Sequence, residues 1–387
     1  MDNFIFRNPT RIIFGKGSIA KLSKYVPKKA KVLVLFGGGS IKTNGVYDQV
    51  MQALKKHEVL EFGGIEANPD YDTLLKAIKL VKGEKVDFLL AVGGGSVIDG
   101  TKFISLAAAN KVKDPWDILT HINDLKIKKA IPFGTVLTLP ATGSEMNPNS
   151  VISRRATQEK MAFSHPKVYP KFSVLDPETT YSLPASQVRN GIVDAFVHIM
   201  EQYMTYPVGA IVQDRQAEAI LLALVELAPK AMQDPPDYEG RANYMWAATN
   251  ALNKLICQGV PQDWTTHNIG HELTAFYGLA HAETLAVVLP YVLWYKRDLK
   301  GDKLVQYGKR VWNGTANGKR ARMSEAIEKT AAFFQGLGMP TTLTAYGIDP
   351  DEAALKVSQR FAERGTVLGE HNDIKPEDVA NILRLSR

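Results

Sequence analysis

Within the first half of the chain, three continuous apolar runs each stop on a loop of small residues. Lys31–Phe36 stops at Gly37-Gly38-Gly39-Ser40, the run 87–92 at Gly93-Gly94-Gly95-Ser96, and the run 134–139 at Pro140-Ala141-Thr142-Gly143-Ser144-Glu145. A shorter run spans 59–62, and helical spacing fills 46–56, 71–82 and 97–110 between them. Strands that are apolar throughout, rather than alternating, are buried on both faces, and helices between them make the covers of a parallel sheet. Ligands of such sheets sit beyond the carboxyl ends of the strands, where the small-residue loops lie.

The pattern changes between Asp176 and Pro184, a polar connector flanked by Pro177 and Pro184. Helical patterns dominate afterwards, at 187–203, 214–228, 239–255 and 323–336, and no strand of comparable quality follows Leu175. The expected architecture is an α/β domain over residues 1–180 and an all-helical domain over residues 181–387.

The loop 93–96 follows a strong strand and opens a helix. Without Cβ atoms the backbone approaches a phosphate closely, and the free N–H groups of the helix start point at it. The bland alternative is a tight strand-to-helix turn; Asp99 and Lys102 in the first turns, and the place at the sheet's carboxyl edge, favour phosphate binding. The loop 37–40 bears on the choice of nucleotide. An NAD site places a carboxylate at the adenine ribose 2′-hydroxyl. Gly37, Gly38 and Ser40 bring no acid, and Lys42 follows, an arrangement that accommodates a 2′-phosphate.

Asp194 and His198 stand four residues apart, as do His267 and His271, so each pair shares a helix face. His281 follows ten residues after His271, past a break at Gly278. A carboxylate and imidazoles make an oxygen and nitrogen site for Fe(II) or Zn(II). Any one of these histidines, taken alone, reads as an ordinary hydrogen-bonded residue; the two paired spacings with a third histidine nearby point to a metal. The chain has one cysteine, Cys257, so neither a disulfide nor a thiolate-rich site is available. His271-Glu272 does not start a zinc-protease motif, because Ala275 stands where the second histidine is required. No G-x-S-x-G elbow is present.

The net charge of +7 is dispersed in short pairs and in Lys319-Arg320-Ala321-Arg322, which reads as solvated surface rather than a nucleic-acid footprint. The N-terminus has no signal-peptide pattern and no apolar run reaches membrane-spanning length, so a cytoplasmic location without membrane or nucleic-acid partners is expected.

These motifs resemble, from end to end, the iron-containing (group III) alcohol dehydrogenases, and in particular their bacterial NADPH-dependent aldehyde reductase and butanol dehydrogenase branch. The likeness rests on Asn8 to Gly15, Asn68-Pro69, Leu89 to Lys102, Leu137 to Glu145, Val193 to His198 and Gly259 to Trp264. It implies a Rossmann-like N-terminal domain, a helical C-terminal domain, and interconversion of aldehydes and primary alcohols with NADP(H). It implies that Gly94, Gly95, Ser96 and Asp99 lie at the pyrophosphate, that Gly37, Gly38 and Ser40 lie at the adenosine ribose, and that Asn68, Thr138, Thr142, Asn147 and Lys160 contact the cofactor. Asp194, His198, His267 and His281 match the metal ligands, and His271 matches a histidine beside them that we expect to handle the proton. A homodimer is the expected assembly. Two places depart from the family pattern: residues 147–150 are bulkier, and Thr179 replaces an aromatic residue. The rival readings are a metal- and NAD-dependent lyase of the dehydroquinate synthase type, which needs a basic cluster for a substrate phosphate, and a nucleotide-binding protein without catalysis, which needs no metal set.

Overall fold

A computed structural model describes residues 1–387. The chain forms two compact units. One comprises Arg7–Val188 with Ala231–Thr249, and the other Met1–Phe6, Arg189–Lys230 and Asn250–Arg387.

The first unit is built on a six-stranded sheet in the order β1-β8-β5-β4-β2-β3, with strands β1 (Arg11–Phe14), β2 (Lys31–Phe36), β3 (Glu58–Phe62), β4 (Phe88–Gly94), β5 (Phe133–Leu139) and β8 (Phe172–Leu175). Every pairing in it is parallel. Alternate residues of the central strands feed two cores. Leu33, Leu35, Leu89, Ala91 and Leu137 pack with the helices Tyr71–Gly83 and Gly95–Ala109. Val32, Val34, Phe36, Leu90, Val92 and Val136 pack on the opposite face, with Val46 and Val50 of the helix Val46–Ala53. Burial on both faces is why these strands read as unbroken apolar runs.

Two strands lie outside that sheet. β6 (Asn149–Arg154) and β7 (Glu159–Ser164) form an antiparallel hairpin in the connection from β5 to β8. The helix Tyr238–Ala251 belongs to this unit too: Met245 lies in the core, and the Tyr244 hydroxyl donates to the Pro140 carbonyl. The second unit is helical. Its core joins Ile269, Leu273, Val287 and Val292 to Val357, Phe361, Val379 and Leu383 from the last two helices. No helix of the chain is long and apolar enough to cross a membrane.

Candidate metal and nucleotide sites

The metal candidates sit on three helix segments of the second unit. The helix Ala185–Tyr203 carries Asp194 and His198 within a fully buried stretch, 191–203. The helix Thr265–Tyr277 carries His267 and His271 and stops at Gly278, whose φ of 72° is the left-handed conformation that ends a helix without steric cost. After that turn, His281 opens the helix His281–Tyr295. A Cβ on Gly270 would stand 2.6 Å from Thr284 Oγ1, so only glycine lets these two helices approach so closely. That approach brings His267 and His281 together, with ring centroids 5.1 Å apart.

Asp194 Oδ1 is the hub. His198 Nδ1 lies 3.5 Å from it, His267 Nε2 3.7 Å and His281 Nε2 3.7 Å. These separations are too long for good hydrogen bonds. Two ligands each ~2.1 Å from a tetrahedral ion stand about 3.4 Å apart, so the spacing fits donors gathered around a cation. His198 Nδ1 and His267 Nε2 are buried and have no hydrogen-bond partner, and a cation would engage their lone pairs. The donor atoms of Asp194, His267 and His281 all lie within 4.8 Å of one another. His198 adjoins this trio, its ring stacked on His267 at 4.5 Å.

Burial pushes the His198 pKa down to about 4 against the pull of Asp194, so its imidazole is neutral, as a ligand must be. Burial opposes charge on His267 as well, but Glu201 and Asp194 outweigh it and push its pKa up to about 9, so a cation bound at Nε2 displaces a proton from that atom. His271 stands beside the trio with its ring 5.3 Å from that of His281 and 6.2 Å from that of His267. Glu201, whose buried carboxylate is hydrogen-bonded to His267, is a site residue that the sequence pattern did not single out. Its signal was present: Asp194, His198 and Glu201 continue one helix stripe at positions i, i+4 and i+7.

The nucleotide candidates belong to the first unit. Gly37, Gly38 and Ser40 follow β2, and Gly94, Gly95 and Ser96 end the neighbouring β4 and start the helix Gly95–Ala109. Close packing demands two of the glycines of the second loop: a Cβ on Gly93 would meet Val97 at 2.6 Å, and one on Gly95 would meet Thr142 at 2.5 Å. The loops after β4 and β5 are therefore in contact at Gly95 and Thr142, and the strand register sets Thr138 between Leu137, opposite Gly93, and Leu139, opposite Gly94. Asn68 adjoins them, its backbone N–H donating to Ser96 Oγ at 3.3 Å.

Asp99 and Lys102 are turned away from the loop and inward. Asp99 accepts from Ser144 Oγ and from the Val151 N–H at 2.9 Å. Lys102, wholly buried, donates to Ser144 Oγ at 2.6 Å, to the Asn149 carbonyl at 2.6 Å and to Asn147 Oδ1 at 3.1 Å. These two residues brace segment 144–151, with Lys160 buried nearby on β7. Burial raises the pKa of Asp99, with Lys102 the main opposing influence. Thr179 is buried and donates to the Leu137 carbonyl at 2.8 Å. Lys42 is held by Glu61 at 2.9 Å, and Glu61 also accepts from the Tyr47 hydroxyl.

Residues 9–177 match the iron-containing alcohol dehydrogenase family, and residues 189–386 match the C-terminal part of the Fe-containing alcohol dehydrogenase family. The chain is 57% identical to the NADPH-dependent aldehyde reductase YqhD of Escherichia coli K12, over 97% of each protein. It is 41% identical over the full length of both to a probable NADH-dependent butanol dehydrogenase of Bacillus subtilis. The crystal structure of E. coli K-12 YqhD superposes with a TM-score of 0.97 at 55% identity, covering 100% of this chain and 99% of that one.

Proposed function

This chain belongs to the iron-containing alcohol dehydrogenase family, and from that premise we propose that it is an NADPH-dependent aldehyde reductase, interconverting short- to medium-chain aldehydes and primary alcohols. The observation that carries this reading is the gathering of three histidine rings about Asp194 Oδ1, in a chain 57% identical to an NADPH-dependent aldehyde reductase. When bound, NADPH supplies the hydride and a divalent cation, Fe(II) or Zn(II), supplies the positive charge that polarises a carbonyl oxygen.

The chain's own residues do the rest. Asp194, His198, His267 and His281 hold the cation, and the single carboxylate leaves net positive charge for an oxygen of the substrate. Residues 1–180 supply the nucleotide contacts and residues 181–387 the metal and the proton. Gly94, Gly95 and Ser96 receive the pyrophosphate at the start of a 15-residue helix, whose N–H groups favour an anion. Gly37, Gly38 and Ser40 bring no carboxylate of their own to the ribose. Asn68, Thr138, Thr142, Asn147 and Lys160 contact the cofactor, with Asp99 beside the pyrophosphate. His271 delivers the proton to the oxygen of the product, since imidazole titrates near neutral pH. We further propose a cytoplasmic homodimer.

Oxidation of NADPH in the presence of butanal, followed spectrophotometrically with the metal-loaded protein, tests the reading. Turnover that disappears on chelation and returns with the metal is the expected result. A protein that binds nucleotide and metal but leaves butanal untouched would favour the lyase, and one that binds nucleotide alone the non-catalytic alternative.

A further inference from the structure

Glu201 is buried, and its carboxylate is enclosed by N–H groups of a neighbouring helix. The Thr266 N–H donates to Oε1 at 2.6 Å and the His267 N–H to the same oxygen at 3.2 Å. The His267 ring is hydrogen-bonded through Nδ1 to Oε2. The first two donors belong to the opening turn of the helix Thr265–Tyr277, where backbone N–H groups have no partner within the helix. One carboxylate thus holds both the start of that helix and the imidazole it carries.

An ionised carboxylate only accepts hydrogen bonds. When the His267 ring carries a single proton, that proton therefore belongs on Nδ1, and the lone pair is left on Nε2. Nε2 is the atom that faces Asp194 Oδ1 at 3.7 Å with no hydrogen-bond partner. We propose that Glu201 is a positioning residue that fixes the orientation and tautomer of His267, so that Nε2 is offered to the divalent cation. The inference rests on the metal reading above and adds to it a residue outside the ligand set.

Glu201 is itself held from behind. Its carbonyl accepts from the Asp263 N–H at 2.8 Å. The Asp263 carboxylate accepts from Lys300 at 2.9 Å, and Lys300 is also paired with Glu370 at 2.7 Å. A ring whose carboxylate partner is anchored on both sides has little freedom to swing, and such outer partners typically tune metal affinity by about 10–100-fold.

Glu201→Gln is the informative change. An amide has one acceptor oxygen and one NH2 group; with the oxygen on the two backbone N–H groups, the NH2 faces Nδ1 and favours the tautomer that carries its proton on Nε2, and in the other orientation the NH2 meets the backbone N–H groups. Metal-free wild type and variant would be titrated with Zn²⁺ against a chromophoric chelator, with the unfolding midpoint of each metal-free protein measured in parallel. The expected result is a dissociation constant raised by about 10–100-fold in the folded variant, with the Co(II) absorption spectrum altered. Glu201→Ala, which removes the ring's acceptor without adding a donor, serves if the Gln variant does not fold, and the same weakening is expected. Wild-type Zn²⁺ affinity in either folded variant, with only the unfolding midpoint lowered, would overturn the proposal. A wild-type protein that takes up no Zn²⁺ would instead overturn the metal assignment itself, and this inference with it.

Discussion

Lys102 and Ser144 are joined by a hydrogen bond of 2.6 Å in a place without solvent, and Ser144 passes the contact on to Asp99. This couples the helix behind the second glycine loop to the segment 144–151. Lys102→Met removes the cation and leaves Asp99 buried without its main compensation. Loss of one partner of a buried pair costs about 3–5 kcal/mol, so a lower urea midpoint is expected. The loss should depend on pH. Burial raises the folded pKa of Asp99, so its ionised form is disfavoured at high pH, and the attraction to Lys102 matters only while the carboxylate is charged. The gap between wild type and variant should therefore narrow as pH falls through that raised value toward the unfolded value of about 3.9. A gap that stays constant on acidification would show that Lys102 acts by packing alone.

The ligand set makes a simple prediction. His267→Ala should leave the protein folded but strip it of metal, read by elemental analysis of the purified variant. A variant that keeps stoichiometric metal would disprove the assignment. Chelation of wild type should lower its thermal midpoint, because a cation bound only to the native state stabilises it by mass action.

Cofactor choice can be tested at Gly38. A Cβ there meets nothing within 4 Å, whereas Gly39 has a φ of 100° that no ordinary residue adopts readily. Gly38→Asp is thus a clean way to add a carboxylate without straining the loop. It should weaken NADPH by about tenfold or more relative to NADH, a difference of ~1.4 kcal/mol. Equal weakening of both nucleotides, measured by fluorescence titration, would place the 2′-phosphate elsewhere.

His271 is adjacent to the trio but is not needed to complete it. If it transfers the proton, His271→Ala should lower kcat by ~10²-fold or more while metal content and NADPH affinity stay near wild type. Near-normal kcat across the pH range would leave it a structural role only, and loss of metal would make it a ligand.

The central sheet was legible because its strands are buried on both faces and so are apolar at every position, as Val32 to Phe36 and Leu89 to Val92 illustrate. The hairpin of β6 and β7 was not: it sets Val151, Ile152, Met161, Ala162 and Phe163 among polar residues without a clean alternation, and its pairing is visible only in three dimensions. β1 is too short, at four residues, to show a period. Helical spacing pairs residues along one helix, so it relates Asp194 to His198 and His267 to His271. It says nothing of the contact between helices that Gly270 permits. The direction of a side chain was equally hidden. Lys42, which follows the first glycine loop, is paired with Glu61, 19 residues away, a contact no local pattern shows. Asp99 and Lys102 lie on the helix face that meets the hairpin, and nothing in a helical pattern shows which neighbour a face will find.

The helix Tyr238–Ala251 has a consequence at the level of the gene. Because residues 231–249 fold with the sheet while the stretches on either side of them do not, the backbone passes between units at 6/7, 188/189, 230/231 and 249/250. Neither unit is therefore encoded by one uninterrupted reading segment. A fragment ending near residue 180 would lack Met245 from its core and the Tyr244 bond to Pro140. Recombination at a single crossover between two such genes would deliver a nucleotide-binding half with a helix of foreign ancestry packed into its core. Chimaeras that exchange this unit intact need four junctions, and we expect the ones that fold to respect them.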